Sequence, residues 1–142
     1  MIPPVLPTYN RAPLSFVSGE GAWLTEAGGE RYLDLAAGIA VNALGHAHPT
    51  LVAAVEAQAR TLWHTSNLYG IPNQEALAER LVAHTFADTV FVTNSGTEAI
   101  ECAIKMARKH FHHAGTPERN RIVTFDGAFH GRSYGAISAA GS

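Results

Sequence analysis

Two short clusters combine residue types that bind anions and flat rings. The first is Asn94-Ser95-Gly96-Thr97, between the apolar run Thr89-Val90-Phe91-Val92-Thr93 and the segment EAIECAIKMARKHF. A phosphate needs unpartnered N–H donors, and the first N–H groups of a helix have no partner within it. Gly96 lets an anion approach the backbone closely, and Thr97 adds a hydroxyl. The second cluster is Asp126-Gly127-Ala128-Phe129-His130, with Arg132 two residues on. An aromatic pair offers a face for a flat ring. A guanidinium binds a carboxylate through two parallel N–H···O bonds.

The elements that must position these clusters follow from the periodicity. Thr89–Thr93 reads as a buried strand. From Thr97 the chain is helical, with Glu98, Glu101, Lys105, Arg108 and His112 on one polar face and apolar residues over the rest. Gly115-Thr116-Pro117 ends that helix, and Arg121–Phe125 reads as the next strand. A strand–helix–strand unit makes its two strands parallel neighbours or near neighbours, with ligands bound beyond their carboxyl ends. Both clusters fall at such ends. On its own, a strand–glycine–helix turn reads first as a plain connection. Neither a Walker loop nor a dinucleotide G-x-G-x-x-G is present. Taken singly, Phe129 reads as core, His130 as a turn residue and Arg132 as a surface charge. Their convergence at adjacent strand ends argues for a flat, phosphorylated ligand.

The whole chain sets bounds. It has 142 residues, 46% hydrophobic and 15% charged, with a formal charge of −2 carried without runs. That composition builds a core and gives no footprint for nucleic acid or an anionic membrane. No apolar stretch reaches the ~18 residues of a membrane span. The N-terminus has no basic region ahead of an apolar block, and Cys102 is the lone cysteine, so a cytoplasmic location is expected. Cys102 itself reads as a small buried side chain.

In chain order, prolines at positions 3, 4, 7 and 13 predict an extended arm. Leu14–Ser18, Ala22–Thr25 and Arg31–Leu35 read as a meander turning at Gly19-Glu20-Gly21 and Gly28-Gly29, with Trp23 a packing residue of that sheet. Residues 36–48 are apolar without a regular period, as in segments that line pockets. His46 and His48 lack a third ligand at zinc-like spacing and read as capping and packing residues, as does the His110–His113 cluster at a helix C-terminus. Pro49 opens a helix whose buried stripe is Leu51, Val52, Val55, Ala59, Leu62 and Trp63. Pro72 opens another, with Leu77, Ala78, Leu81 and Val82 inward. The chain runs through an apolar alternating segment to Ala139-Ala140-Gly141-Ser142, with no closing helix. These elements do not close a doubly wound sheet, so an N-terminal piece of a longer protein is expected.

Four stretches, LDLAAGIAVNALGHAHP, LWHTSNLY, NSGTEAIECAIKMAR and FDGAFHGRSYGAISAAG, resemble in order the motifs of class III pyridoxal-phosphate-dependent aminotransferases. The first two resemble the acetylornithine aminotransferase branch in particular. The resemblance runs from about Pro13 to the last residue. It implies an α/β protein of PLP fold type I. Residues 1–48 would be the N-terminal arm and small-domain meander, and residues 49–142 the incomplete start of the PLP-binding large domain. It implies that Gly96 and Thr97 hold the phosphate of pyridoxal 5'-phosphate, that Phe129 stacks on its ring, and that Arg132 takes the substrate carboxylate. It implies a homodimer with active sites at the subunit interface, the 36–48 segment and the Asn67-Leu68-Tyr69 loop lying near them. The implied reaction is transamination from N-acetylornithine to 2-oxoglutarate, in arginine biosynthesis. Ornithine, succinylornithine, N-succinyl-diaminopimelate and γ-aminobutyrate stand as alternative donors, and a non-catalytic phosphate-binding module as the alternative of another class. The family's Schiff-base lysine is expected beyond residue 142. Of the two lysines here, Lys105 lies about 12 Å up the helix from Thr97, where pairing with Glu101 is its expected role. Lys109 is no closer, and the 142 residues alone are expected to be inactive.

Overall fold

The computed structural model describes residues 3–140. Met1 and Ile2 of the arm, and Gly141 and Ser142 of the closing segment, lie outside the described residues. The chain divides into two compact units, Met1–Ser66 and Asn67–Ser142.

In the first unit, residues 3–14 are exposed and carry no regular structure, as the prolines require. A three-stranded antiparallel sheet follows in the order β1-β2-β3, with β1 Phe16–Glu20, β2 Trp23–Glu26 and β3 Arg31–Leu33. The first hairpin pairs Glu20 with Trp23, so its turn is Gly21-Ala22 and not the expected 19–21. The reason is the use made of Gly19. A Cβ there would lie 2.7 Å from Cγ of His46, so Gly19 is a strand glycine that admits a ring, and Gly21, at φ +55°, makes the turn. Trp23 pairs across the sheet with Leu33 and lies under the Arg31 guanidinium, 5.0 Å from its ring centroid.

Beyond the sheet, Ala37–Ala40 forms one turn, α1, through left-handed backbone: φ is 47° at Ala37, 63° at Gly38 and Ile39, and 61° at Ala40. Each non-glycine residue there costs about 1–2 kcal/mol. Asp34 anchors the start of this turn. Its Oδ1 accepts the N–H groups of Ala36 (3.1 Å) and Ala37 (2.8 Å), and its Oδ2 lies 2.7 Å from Nε2 of His46. His46 therefore pairs with a carboxylate. His48, at the N-cap of α2 (Pro49–Ala59), makes no capping bond with its side chain, and its buried Nδ1 has no partner among the described residues. Pro49 opens α2 as expected. The stripe expected to be buried is exposed at Leu51, Val52, Val55, Leu62 and Trp63.

The second unit contains α3 Pro72–His84, α4 Gly96–His113 and α5 Tyr134–Ala139. On α3, Ala78 and Val82 are half-buried while Leu77 and Leu81 are exposed. Helix α4 ends in a Schellman motif: Thr116 N–H donates to Phe111 O (2.9 Å) and Gly115 N–H to His112 O (3.2 Å), with Gly115 at φ +79°. The expected strands 89–93 and 121–125 are not formed. Both segments flank α4 without ladder partners, and Phe91, Val123 and Phe125 are exposed. A strand requires a neighbour's N–H and C=O groups, which the segment's own propensity does not supply. The closing segment also differs from expectation, since Tyr134–Ala139 is helical. Ser133 caps it, accepting the Ala136 N–H at 3.4 Å, and Ala136 is the buried hydrophobic residue among those described. No helix of the described residues is long and apolar enough to cross a membrane.

Candidate functional site

The site is built on the N-terminus of α4. Ser95 is the N-cap, and its Oγ accepts the Glu98 N–H at 3.2 Å. Ser95 O accepts from Ala99 N–H (3.0 Å). The Glu98 carboxylate is held at the helix start by Asn94 Nδ2 (3.4 Å) and Ser95 Oγ (3.3 Å). This leaves the N–H groups of Gly96 and Thr97 without a hydrogen-bond partner among the described residues. A Cβ built on Gly96 meets nothing within 4 Å. Two unpartnered donors at the positive end of an 18-residue helix, with open space at Gly96, suit an anion.

The second cluster comes to the same place. Gly131 is buried at φ +127°, and a Cβ there would stand 2.8 Å from Cβ and 2.9 Å from Cγ2 of Thr97, and closer still to its Oγ1. The 129–132 loop therefore rests its backbone on the Thr97 side chain, and only glycine permits that approach. Phe129 and Arg132 flank this seat. Phe129 is 76% exposed, and the Arg132 guanidinium lies 5.8 Å from its ring centroid. The guanidinium thus lies over the ring, and both residues flank the glycine that contacts Thr97. His130 does not extend the ring surface. It is half-buried, and its Nε2 is buried without a partner among the described residues.

Glu101 was expected to face outward and pair with Lys105. Its Oε1 instead accepts Ser133 Oγ–H at 2.6 Å and Gly135 N–H at 3.0 Å. The Ser133 bond holds its carboxyl below the usual glutamate range. Burial opposes this, and the Gly135 N–H and the Lys105 charge assist it. Sequence reasoning also gave no part to Gly131 or Ser133. The available signals were the Gly-Arg-Ser run at 131–133, which puts an N-cap residue just past the arginine, and the four-residue spacing of Thr97 and Glu101. Lys105 and Lys109 stand further along α4, away from the free N–H groups. No group of three His, Cys, Asp or Glu that could hold a metal occurs among the described residues.

Residues 7–142 match the family model of class III aminotransferases. The chain belongs to this family, whose cofactor is pyridoxal phosphate, and the structural neighbours share its fold type I. Among individual proteins, it is 70% identical over 142 residues to the acetylornithine aminotransferase of Rhodobacter capsulatus, covering all of this chain and 36% of that one. It is 60% identical over 138 residues to that of Agrobacterium fabrum, covering 97% and 35%. The crystal structure of N-acetylornithine aminotransferase from Stenotrophomonas maltophilia superposes with a TM-score of 0.78 at 45% identity, covering 87% of this chain and 34% of that one. An adenosylmethionine-8-amino-7-oxononanoate aminotransferase from Methanocaldococcus jannaschii superposes at 0.85 with 32% identity, covering 92% and 31%. The chain spans about a third of the length of the curated relatives it matches.

The residues present fit the cofactor. Two unpartnered N–H groups at a helix start, one of them at an exposed glycine, suit a phosphate, and the exposed Phe129 suits a flat ring.

Proposed function

We propose that this chain is part of an aminotransferase that moves the amino group of N-acetylornithine to 2-oxoglutarate, in arginine biosynthesis. The observation that supports this reading is the seating of Gly131, which lies between Phe129 and Arg132 in the chain, on the side chain of Thr97. In this reading Gly96 and Thr97 hold the phosphate of pyridoxal phosphate. Phe129 stacks on the ring and keeps water from one face. Arg132 orients the substrate by its carboxylate, taking N-acetylornithine and 2-oxoglutarate in turn. Bound there, pyridoxal phosphate supplies an electron sink for the substrate carbon that loses its proton. In this reading neither Lys105 nor Lys109, which stand further along α4, is the lysine that moves this proton. Residues 1–48 would then be the arm and small-domain meander, residues 49–142 the start of the large domain, and the enzyme a cytoplasmic homodimer.

The choice of donor rests on identity. Neighbours with TM-scores near 0.85 are named for other amines, so the fold alone does not select one, whereas 70% identity over the whole chain favours the acetylated substrate. The test is turnover by the full-length enzyme of N-acetylornithine, ornithine, succinylornithine, N-succinyl-diaminopimelate and γ-aminobutyrate with 2-oxoglutarate. The expected result is the highest kcat/KM for N-acetylornithine. A higher value for another donor overturns the substrate. Failure of pyridoxal phosphate to bind overturns the activity and leaves a phosphate-binding module.

A further inference from the structure

Thr97 and Glu101 are one turn apart on α4, so their side chains share a face of the helix. The following loop matches that spacing. Gly131 rests on Thr97, and four residues later Gly135 rests on Glu101, where a Cβ would lie 2.6 Å from Oε1 and 2.7 Å from Cδ. Between them Ser133 donates its hydroxyl to Glu101 Oε1 at 2.6 Å while its Oγ also accepts the Ala136 N–H that starts α5. One carboxylate oxygen thus holds both the residue next to Arg132 and the backbone of α5's first turn. We propose that Glu101 is a positioning residue: by fixing Ser133 and Gly135 to α4, it sets where Phe129 and Arg132 stand relative to Gly96 and Thr97. This rests on the function proposed above.

The alternative for Glu101 is a solvated helix carboxylate steadied by Lys105. Two observations weigh against it. The hydrogen bonds go to the loop, and no ion pair forms with Lys105 among the described residues. Both donors also converge on a single oxygen at short range, as charge-assisted bonds do. A carboxylate here does more than pack. Glutamine keeps the shape and a weaker acceptor, whereas alanine leaves the Ser133 hydroxyl and the Gly135 N–H without their partner.

The test uses the full-length enzyme and its Glu101→Gln, Glu101→Ala and Ser133→Ala variants. The apoenzyme is titrated with pyridoxal phosphate, the visible circular dichroism of the bound cofactor is recorded, and KM for N-acetylornithine and 2-oxoglutarate is separated from kcat. Thermal melts report folding. In Glu101→Ala, cofactor affinity is expected to fall about 10-fold or more, both KM values to rise together, and the dichroism to change. Glu101→Gln is expected to lie between it and wild type, and Ser133→Ala to act in the same direction. Unchanged affinity, dichroism and KM in Glu101→Gln and Ser133→Ala overturn the proposal even if Glu101→Ala does not fold. A melt lowered with those readouts unmoved also overturns it, since that is structural support alone. If the wild-type protein does not bind pyridoxal phosphate, the function proposed above fails first and takes this role with it. Wild-type binding with unmoved variants removes the role of Glu101 only.

Discussion

Replacing Gly131 with alanine in the full-length enzyme puts a methyl group where Thr97 stands. The new Cβ would be 2.8 Å from Thr97 Cβ, and carbon atoms rest at ~3.5–4.0 Å. Relief therefore needs a displacement of roughly 1 Å, and α4, with its capped N-terminus, is the fixed partner. The loop carrying Phe129 and Arg132 must move instead. A misplacement of about 1 Å costs on the order of 100-fold in rate where geometry is critical, close to ~2.7 kcal/mol of transition-state stabilisation. The left-handed backbone at φ +127° adds a penalty in stability alone. Gly115→Ala separates the two effects. Gly115 is also left-handed, at φ +79°, but a Cβ there meets nothing within 4 Å, and it lies at the far end of α4. The assay is kcat/KM with saturating pyridoxal phosphate, alongside urea denaturation. Gly115→Ala should lose about 1–2 kcal/mol of stability and keep its kcat/KM. Gly131→Ala should lose both. Equal kcat/KM in the two variants would refute the reasoning that the seat on Thr97 sets the geometry.

Arg132→Ala should raise KM for N-acetylornithine and for 2-oxoglutarate by about 10- to 100-fold, as expected for loss of a charge-assisted pair; an unchanged KM for each, in steady-state assays, removes that role. Asp34 gives a pH-dependent prediction. Its carboxyl is held below the usual value of 3.8, chiefly by the bond to His46 and next by the Ala37 N–H. The folded value is the depressed one, so this stabilisation is present above about 3.8 and is lost as pH falls through the lower folded value. Asp34→Asn should therefore melt below wild type near neutral pH, and the gap should close as pH drops below about 4. A gap constant from pH 7 to 3 would show that the charge contributes nothing.

The parts legible in the sequence were those set by local chemistry. Pro49 and Pro72 mark the starts of α2 and α3, Ser95 and Gly115 bracket α4, and Gly28-Gly29 closes the β2–β3 hairpin. Structure that depends on distant partners was not legible. Strand propensity at 89–93 and 121–125 does not become strand without neighbours to pair with. The left-handed turn at 37–40 depends on Asp34 bonding two backbone N–H groups, which no periodicity reveals. At the site, the residue types at Gly96, Thr97, Phe129 and Arg132 suggested an anion and a flat ring. The contacts that join the two segments were not legible, because Gly131 meets Thr97 and Ser133 meets Glu101 across about thirty residues of chain.

The most direct measurement is a crystal structure of the full-length enzyme with pyridoxal phosphate bound. The expected result puts phosphate oxygens within about 3 Å of the Gly96 and Thr97 nitrogens and the pyridine ring against Phe129. A phosphate held elsewhere, with those two N–H groups facing solvent, would contradict it.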